Sequence, residues 1–476
     1  MLTLNRHAHE LLSRNLLLPL WQLQRIARPS RRATAMAVRR GMQFRRATAG
    51  WGAEQKREWV LEQLRFAVRK AYGDTDYYKG LFDSVGFDPH ADFTFDDFAR
   101  LPVLEREQVR EEGAKMISRS VPASELKKDS TGGSTGVPTD VWIGPEEMGW
   151  KESGGEYFMK RINVATGTRT ALLWGHHLDP RSSDSWLERY HAFETNCRWF
   201  DCLRLSPEVL DNYHSEFERW RPAAIVAYAS SVWHLAEHVL ERGYKASYPT
   251  RCFVTGAEKL LPAHREVIER AFGRPVYERY GGRDVGFIAF QNDPRLSLDY
   301  EVDWANVFIE PETGESESSI LVTKLHADGM PMLRYRVGDL GRFAEGARPG
   351  HPALVLHEVI GRDTDRIWLP DGRWITGLQI PHMMKDYPVR EYMFTQRKDY
   401  SIEIKIVPRS GFGDHSRRKI VAMVQANLPG LDITTQLVDE IPRTRANKWR
   451  PVVSEVTSGI KGEVASKVAA SVRKFA

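Results

Sequence analysis

The chain has only three cysteines in 476 residues, Cys197, Cys202 and Cys252, too few for a disulfide framework and odd in number. That usage fits a reducing compartment, so a cytoplasmic location is expected. Cys197 and Cys202 lack a second close pair and a clear histidine partner, which argues against a zinc knuckle. No apolar run approaches the roughly 18 to 20 residues that a membrane-spanning helix needs. Internal repeats and low-complexity tracts are absent as well. Acidic residues are nearly missing from the first fifty positions, where ten arginines stand beside a single acid, Glu10, and no lysine.

What is present describes a globular chain, with 42% hydrophobic and 28% charged residues. Its length exceeds one ordinary core and predicts two or three domains. The formal net charge of +5 is small and concentrated in the arginine-rich lead. The stretch "RNLLLPLWQLQRIARPSRRATAMAVRR" mixes Leu and Trp with Arg as an interfacial helix does. A helix packed on the domain with its arginines solvated fits equally, and a mitochondrial presequence stays open. The stretch lacks the apolar core and small-residue cleavage site of a secretory signal. No recognition motif or aromatic-basic platform follows it, so nucleic acid is not an expected partner.

Helical spacing of Trp59, Leu61, Leu64, Ala67 and Val68 predicts a helix in "EQKREWVLEQLRFAVRKAYG". Short β-rich runs follow at 170–175, 223–230, 251–258, 275–282 and 318–325. Helical patterns such as "SVWHLAEHVLERG" and "PAHREVIERAFG" lie between them. This alternation predicts an α/β fold, with parallel-rich sheets in a large N-terminal domain. Past Arg362, strand-rich sequence, one helix ("HSRRKIVAMVQANL") and a further strand predict a small C-terminal α+β domain. The expected divisions are a basic lead (1–50), a large domain (51–361) and a small one (362–476).

Between these runs lies "STGGSTGVPT", residues 130–139. Clustered backbone N–H groups and short hydroxyls make an anion cradle, because glycine lets the chain approach phosphate closely. A Walker A loop is excluded, since Gly136 is followed by Val137 and Pro138 and not by Lys-Ser/Thr. The spacing of Gly132, Gly133 and Gly136 also fails the dinucleotide fingerprint. A flexible surface loop is the plain alternative.

The loop resembles the phosphate loop of the adenylate-forming ligases, and four further segments match that family in the expected order. "YERYGGRDVG" (277–286) resembles its Tyr-Gly-x-x-Glu motif and "MLRYRVGDLGRF" (332–343) its Tyr-x-x-Gly-Asp motif. "VIGRDTDRI" (359–367) resembles the Gly-Arg hinge, and "IPRTRANKWR" (441–450) the C-terminal lysine loop. The wording is most similar to the phenylacetate–CoA ligase branch, which includes capsule-biosynthesis ligases.

The resemblance implies that a carboxylate attacks the α-phosphate of ATP with Mg2+, giving an acyl-adenylate and pyrophosphate, and that an acceptor then displaces AMP. Ser130, Thr131, Gly132, Gly133, Ser134, Thr135 and Gly136 would hold phosphates. Lys448 would be the catalytic cation, a mobile point charge bridging carboxylate and α-phosphate. Asp339 would accept from the ribose hydroxyls, with Arg362 beside ribose or phosphate and Thr364 or Asp365 at the hinge. Gly256, Ala257 and Glu258 would edge the adenine, with Tyr280 and Gly281 against the base. Asp284 replaces the usual glutamate near Mg2+ with a shorter arm. Val137 replaces the usual loop lysine, and Asn447 the usual glycine before the catalytic lysine. The cysteine common after the Tyr-Gly motif in this branch is missing from "FIAFQND", so no zinc site is expected there.

His176, His177 and Trp233 are candidates for the acid pocket, against loop histidines and a core tryptophan. The expected function is activation of a small carboxylic acid, most simply for transfer to coenzyme A. Transfer to an amine or hydroxyl in polysaccharide or natural-product assembly, and AMP transfer to a phenolic cofactor, are the enzymatic alternatives. The non-enzymatic one is a nucleotide-binding partner of a surface-assembly complex, touching the membrane through the basic lead.

Overall fold

The structure, a computed structural model, describes residues 29–130, 139–175, 195–202, 205–362, 366–370, 374–376, 379–384, 387–443 and 449–456. The strands are β1 (Lys127–Ser130), β2 (Asp140–Ile143), β3 (Thr170–Trp174), β4 (Cys197–Asp201), β5 (Ala224–Ala227), β6 (Cys252–Thr255) and β7 (Val276–Gly282). They continue as β8 (Gly286–Gln291), β9 (Tyr300–Val302), β10 (Val307–Pro311), β11 (Glu317–Lys324), β12 (Tyr335–Phe343) and β13 (Val355–Arg362). Strands β14 (Arg366–Trp368), β15 (Trp374–Thr376), β16 (Val389–Gln396), β17 (Ile402–Pro408), β18 (Ile433–Leu437) and β19 (Val452–Ser454) complete the set.

Eleven strands form one sheet in the order β10-β11-β12-β13-β9-β8-β7-β6-β5-β3-β4. The expected parallel pairing holds from β4 to β7. It stops at β7, which pairs antiparallel with β8 because the two are joined by a hairpin too short for a crossover. In the parallel half both faces are covered, so β5 and β6 are buried at every residue. Ile225, Ala227 and Phe253 pack with Leu210, Phe217, Val232 and Ile268, from helices Pro207–Trp220, Ala229–Glu241 and Pro262–Phe272. Ala224, Val226 and Val254 face the other way, toward Phe158 of helix Pro145–Arg161.

The helix predicted from Trp59 onward runs Ala53–Asp74, but its core face is Val60, Leu64, Ala67, Val68 and Ala71. Val60 is fully buried where Leu61 is expected, and Trp59 joins an aromatic cluster with Phe44 and Trp304. Within the basic lead, Pro29–Ala47 is a helix lying on helix Pro145–Arg161. Contact is close at Gly149, where a Cβ would come within 2.3 Å of the Ala37 Cβ. One arginine departs from the solvated-helix expectation. Arg45 is 4% exposed and donates to both Asp303 oxygens at 2.9 and 2.7 Å and to Ser153 Oγ at 2.7 Å. Arg32, Arg39, Arg40 and Arg46 are exposed. Residues 1–28 lie outside the described residues.

The chain divides into two compact units. The smaller gathers Leu261–Ala263, Gly338–Leu340 and the chain from Ile360 onward. Its four-stranded sheet has the order β18-β17-β16-β19. Alternation along β17 buries Ile402, Ile404 and Ile406 and leaves Glu403 and Lys405 partly exposed. Helix Asp414–Asn427 sends Ile420 and Val424 into the same core. No helix among the described residues is long and apolar enough to cross a membrane.

Candidate active site

The motif residues of the larger unit gather around the ends of the parallel strands, where open α/β sheets place their ligands. Strands β1 and β2 pair antiparallel with Ser130 opposite Asp140, and the Ser130 hydroxyl donates to the Asp140 carboxylate. The two strands flank the glycine-rich segment on either side. Thr131, Gly132, Gly133, Ser134, Thr135, Gly136 and Val137 themselves lie outside the described residues. Arg283, from the Tyr-Gly motif, donates to the Ser130 carbonyl at 3.3 Å.

Gly256 and Ala257 follow β6, and Ala257 has φ +66°, a left-handed conformation that a side-chain-bearing residue adopts only at a cost. Glu258 is used locally: its carboxylate accepts from Ser230 N at 3.0 Å, at the first turn of helix Ala229–Glu241. The turn's backbone is therefore what remains to edge a base. Tyr280 packs partly buried against the main core. Gly281 is required by the β7–β8 hairpin, because a Cβ there would lie 2.3 Å from the Gly286 carbonyl oxygen.

Asp284 turns inward. It is 5% exposed and accepts from the Tyr335 hydroxyl at 2.9 Å. Arg106 lies 3.5 Å from the same oxygen, and the other oxygen accepts from Val285 N at 3.2 Å. Arg106 also donates to the Tyr335 hydroxyl oxygen at 3.2 Å. With both oxygens engaged inside the protein, this carboxylate does not fit the place of a Mg2+ ligand. Among the described residues, no other group of acids, histidines or cysteines is arranged to hold a metal.

In the smaller unit, Gly338 has φ +81°, and Asp339 follows it. The strand does not end there: β12 continues to Phe343, because glycine absorbs the bend and the ladder resumes. Arg362 donates its Nε to Asp339 Oδ1 at 2.9 Å, which brings two of the motifs into one ion pair. Thr364 and Asp365 lie outside the described residues, as do Asn447 and Lys448. The residues flanking the lysine segment are anchored on β16: Arg443 pairs with Glu391 at 2.6 Å, and Trp449 Nε1 donates to the Tyr392 carbonyl at 3.1 Å.

Of the acid-pocket candidates, His176 and His177 lie outside the described residues. Trp233 is 6% exposed within the core of the parallel half, stacked on His264 at 4.2 Å, which is the core role set against it. The three cysteines make no disulfide, and burial pushes the Cys202 and Cys252 thiols up to about 12, well away from nucleophilic use. A cavity of about 1150 Å³ lined by Lys56, Arg57, Arg161, Asp293 and Trp304 holds none of the motif residues.

Sequence reasoning passed over Arg106, Arg279 and Arg283. Arg283 and Arg279 stand inside "YERYGGRDVG" and bracket its Tyr-Gly pair, so the signal was there. Arg106 carries no local signal.

Comparison with known proteins agrees with this picture. The CapK C-terminal domain family matches residues 367–455. Protein CapK of Staphylococcus aureus is 21% identical over 368 residues, 75% of this chain and 80% of its own length. Phenylacetate-coenzyme A ligase of Aromatoleum evansii is 23% identical over 394 residues, 77% of this chain and 85% of its own. The fold matches that of 2-hydroxyisobutyryl-CoA ligase in the postadenylation state with R3-HIB-AMP, at TM-score 0.66 and 19% identity, over 89% of this chain and 93% of that one. The chain is thus similar along most of its length to CapK and to the phenylacetate–coenzyme A ligases, the branch of the adenylate-forming ligases that its five motifs resemble.

Proposed function

We propose that the protein activates a small carboxylic acid with ATP, releases pyrophosphate, and passes the acyl group from the adenylate to coenzyme A. The observation that carries this reading is the Asp339–Arg362 ion pair at 2.9 Å. It joins the two motif residues that the family resemblance assigns to the nucleotide, one from β12 and one from its neighbour β13. An ionised carboxylate is a strong acceptor for the paired hydroxyls of a ribose.

The physical task is to bring a carboxylate to an anionic phosphate. That needs donors and cations fixed in advance, where negative charge grows. Ser130 and the segment after it would supply hydroxyl and N–H donors to the phosphates. Gly256 and Ala257 would edge the base with their backbone. Lys448 would bridge the two reacting anions, its loop tethered through Arg443 and Trp449. Mg2+ accompanies ATP in this family, but no step here passes through it, since Asp284 is committed elsewhere.

Coenzyme A as acceptor is supported by relatives named phenylacetate-coenzyme A ligase and by a 2-hydroxyisobutyryl-CoA ligase solved with 2-HIB-AMP and CoA. A hydroxyl or amine acceptor is the second reading, compatible with the CapK match over the C-terminal domain, whose name specifies no acceptor. The test is to incubate the protein with ATP and a panel of acids, then add coenzyme A and look for a thioester by mass. A thioester with AMP release supports the first reading. Adenylate that persists until an amine or hydroxyl is supplied supports the second.

A further inference from the structure

The parallel register sets Leu173 beside Ala227, Ala227 beside Thr255 and Thr255 beside Glu278. One residue further along lies the row Trp174, Tyr228, Gly256 and Arg279, at the strand ends where an open sheet holds its ligand. Residues in one such row share a face. Arg279 packs against Gly256, where a Cβ would come within 3.0 Å of its Cγ and 3.2 Å of its Nε. The missing side chain lets the guanidinium cross that strand and settle 5.5 Å from the Trp174 ring centre. Trp174 in turn packs on Tyr228 at 4.3 Å between ring centres.

Among the described residues this arginine has no counter-charge. Among the described residues no carboxylate pairs with it and its guanidinium makes no hydrogen bond, and burial alone lowers its pKa. An arginine with five donors is rarely left so inside a protein. Stacking on indole offsets only part of the desolvation. By contrast, the neighbouring Arg265, Arg106 and Arg334 each have an acid partner. A rigidly placed, half-buried cation beside two aromatic rings suits a planar anion, and a guanidinium fork binds a carboxylate in two-point fashion.

We propose that Arg279 receives a second carboxylate of the acid substrate, one that does not react, so that the preferred substrates are dicarboxylic acids whose body lies on Trp174 and Tyr228. This rests on the acid-activation reading and names the substrate class for it. The reacting carboxylate is left to Lys448.

The experiment compares acid-dependent pyrophosphate exchange with succinate, glutarate and phthalate against their monomethyl esters, for the wild type, Arg279→Leu and Arg279→Lys. The expected result is a kcat/KM for at least one diacid about a hundredfold above its half-ester in the wild type, the scale of a lost charge-assisted pair. Arg279→Leu should erase that preference while still using the half-ester, and Arg279→Lys should restore part of it. Half-esters or simple monocarboxylates used as well as diacids by the wild type would overturn the inference and leave adenylation standing. So would an Arg279→Leu loss equal for every acid, which would place the arginine at the reacting groups. If no acid supports exchange, the adenylation reading fails, and thermal stabilisation by the same diacids decides on Arg279. Stabilisation of the wild type that Arg279→Leu and the half-esters lack would uphold it, and no such difference would overturn it.

Discussion

The Tyr335 hydroxyl donates to Asp284 at 2.9 Å, and Arg106 lies 3.5 Å from the same carboxylate oxygen. Two motif segments, one around the β7–β8 hairpin and one opening β12, are thereby locked to the start of helix Arg106–Met116. Burial raises the tyrosine's pKa and keeps it a donor.

Asp284→Asn should therefore act first on stability. Removing the charge leaves Arg106 buried against a neutral amide, a loss on the order of 3 kcal/mol. Tyr335→Phe should cost less, about 1–2 kcal/mol, for one buried acceptor left short. Urea denaturation of both variants checks this. An Asp284→Asn protein with unchanged midpoint and lost activity would return the residue to a catalytic or metal role.

The Asp339–Arg362 pair predicts a nucleotide-binding defect without unfolding, since Arg362 is more than a third exposed. Asp339→Asn should raise the KM for ATP by about tenfold to a hundredfold, the scale of a hydrogen bond to a charged group. The KM for the acid should change little. Steady-state kinetics with each substrate varied in turn separates the two.

His326 stacks on Trp150 at 3.8 Å between ring centres and is bonded through Nε2 to the Ala305 carbonyl at 2.8 Å. Burial lowers its pKa to about 3 from the ordinary 6.5. The unfolded chain takes up this proton near 6.5 and the folded chain only near 3, so the unfolded state binds more protons across that window. Stability is then full above about pH 6.5 and falls toward pH 3, by up to about 1.4 kcal/mol per pH unit from this group. His326→Phe keeps the stacked ring and should flatten that slope between pH 6.5 and 4.5. An unchanged slope in urea midpoints would contradict the assignment.

Trp449 ties the end of the lysine segment to the Tyr392 carbonyl. Trp449→Ala should slow adenylation about tenfold or more through misplacement of Lys448, as positioning losses do. Affinity for ATP should hold. Equilibrium ATP binding beside single-turnover AMP formation distinguishes the two effects.

Much of the architecture was legible because local pattern and tertiary role coincide. The runs at 223–230 and 251–258 hold strands buried at every residue because both sheet faces are covered, and β17 alternates because one face is not. The switch to antiparallel pairing at β7 was hidden, since it depends on the hairpin that Gly281 permits. Asp339 was legible from its motif, but the continuation of β12 beyond it was not, because a left-handed glycine can end a strand or only bend it. Asp284 looked like a metal ligand because the sequence states its neighbours in the chain and not Arg106, which lies far upstream. The same holds for Arg45 in the basic lead, whose partner Asp303 is remote. Arg279 shows the converse. What sets it apart is that no partner stands beside it among the described residues, and no sequence pattern records that.

The most direct measurement is acid-dependent exchange of labelled pyrophosphate into ATP, run across aryl, fatty, hydroxy and dicarboxylic acids beside a Lys448→Ala control. The account predicts exchange that one acid class triggers and the variant loses by about a hundredfold or more, as removal of a charge acting at the transition state does. Silence across the whole panel, with ATP still bound, or exchange that Lys448→Ala leaves intact, would contradict it.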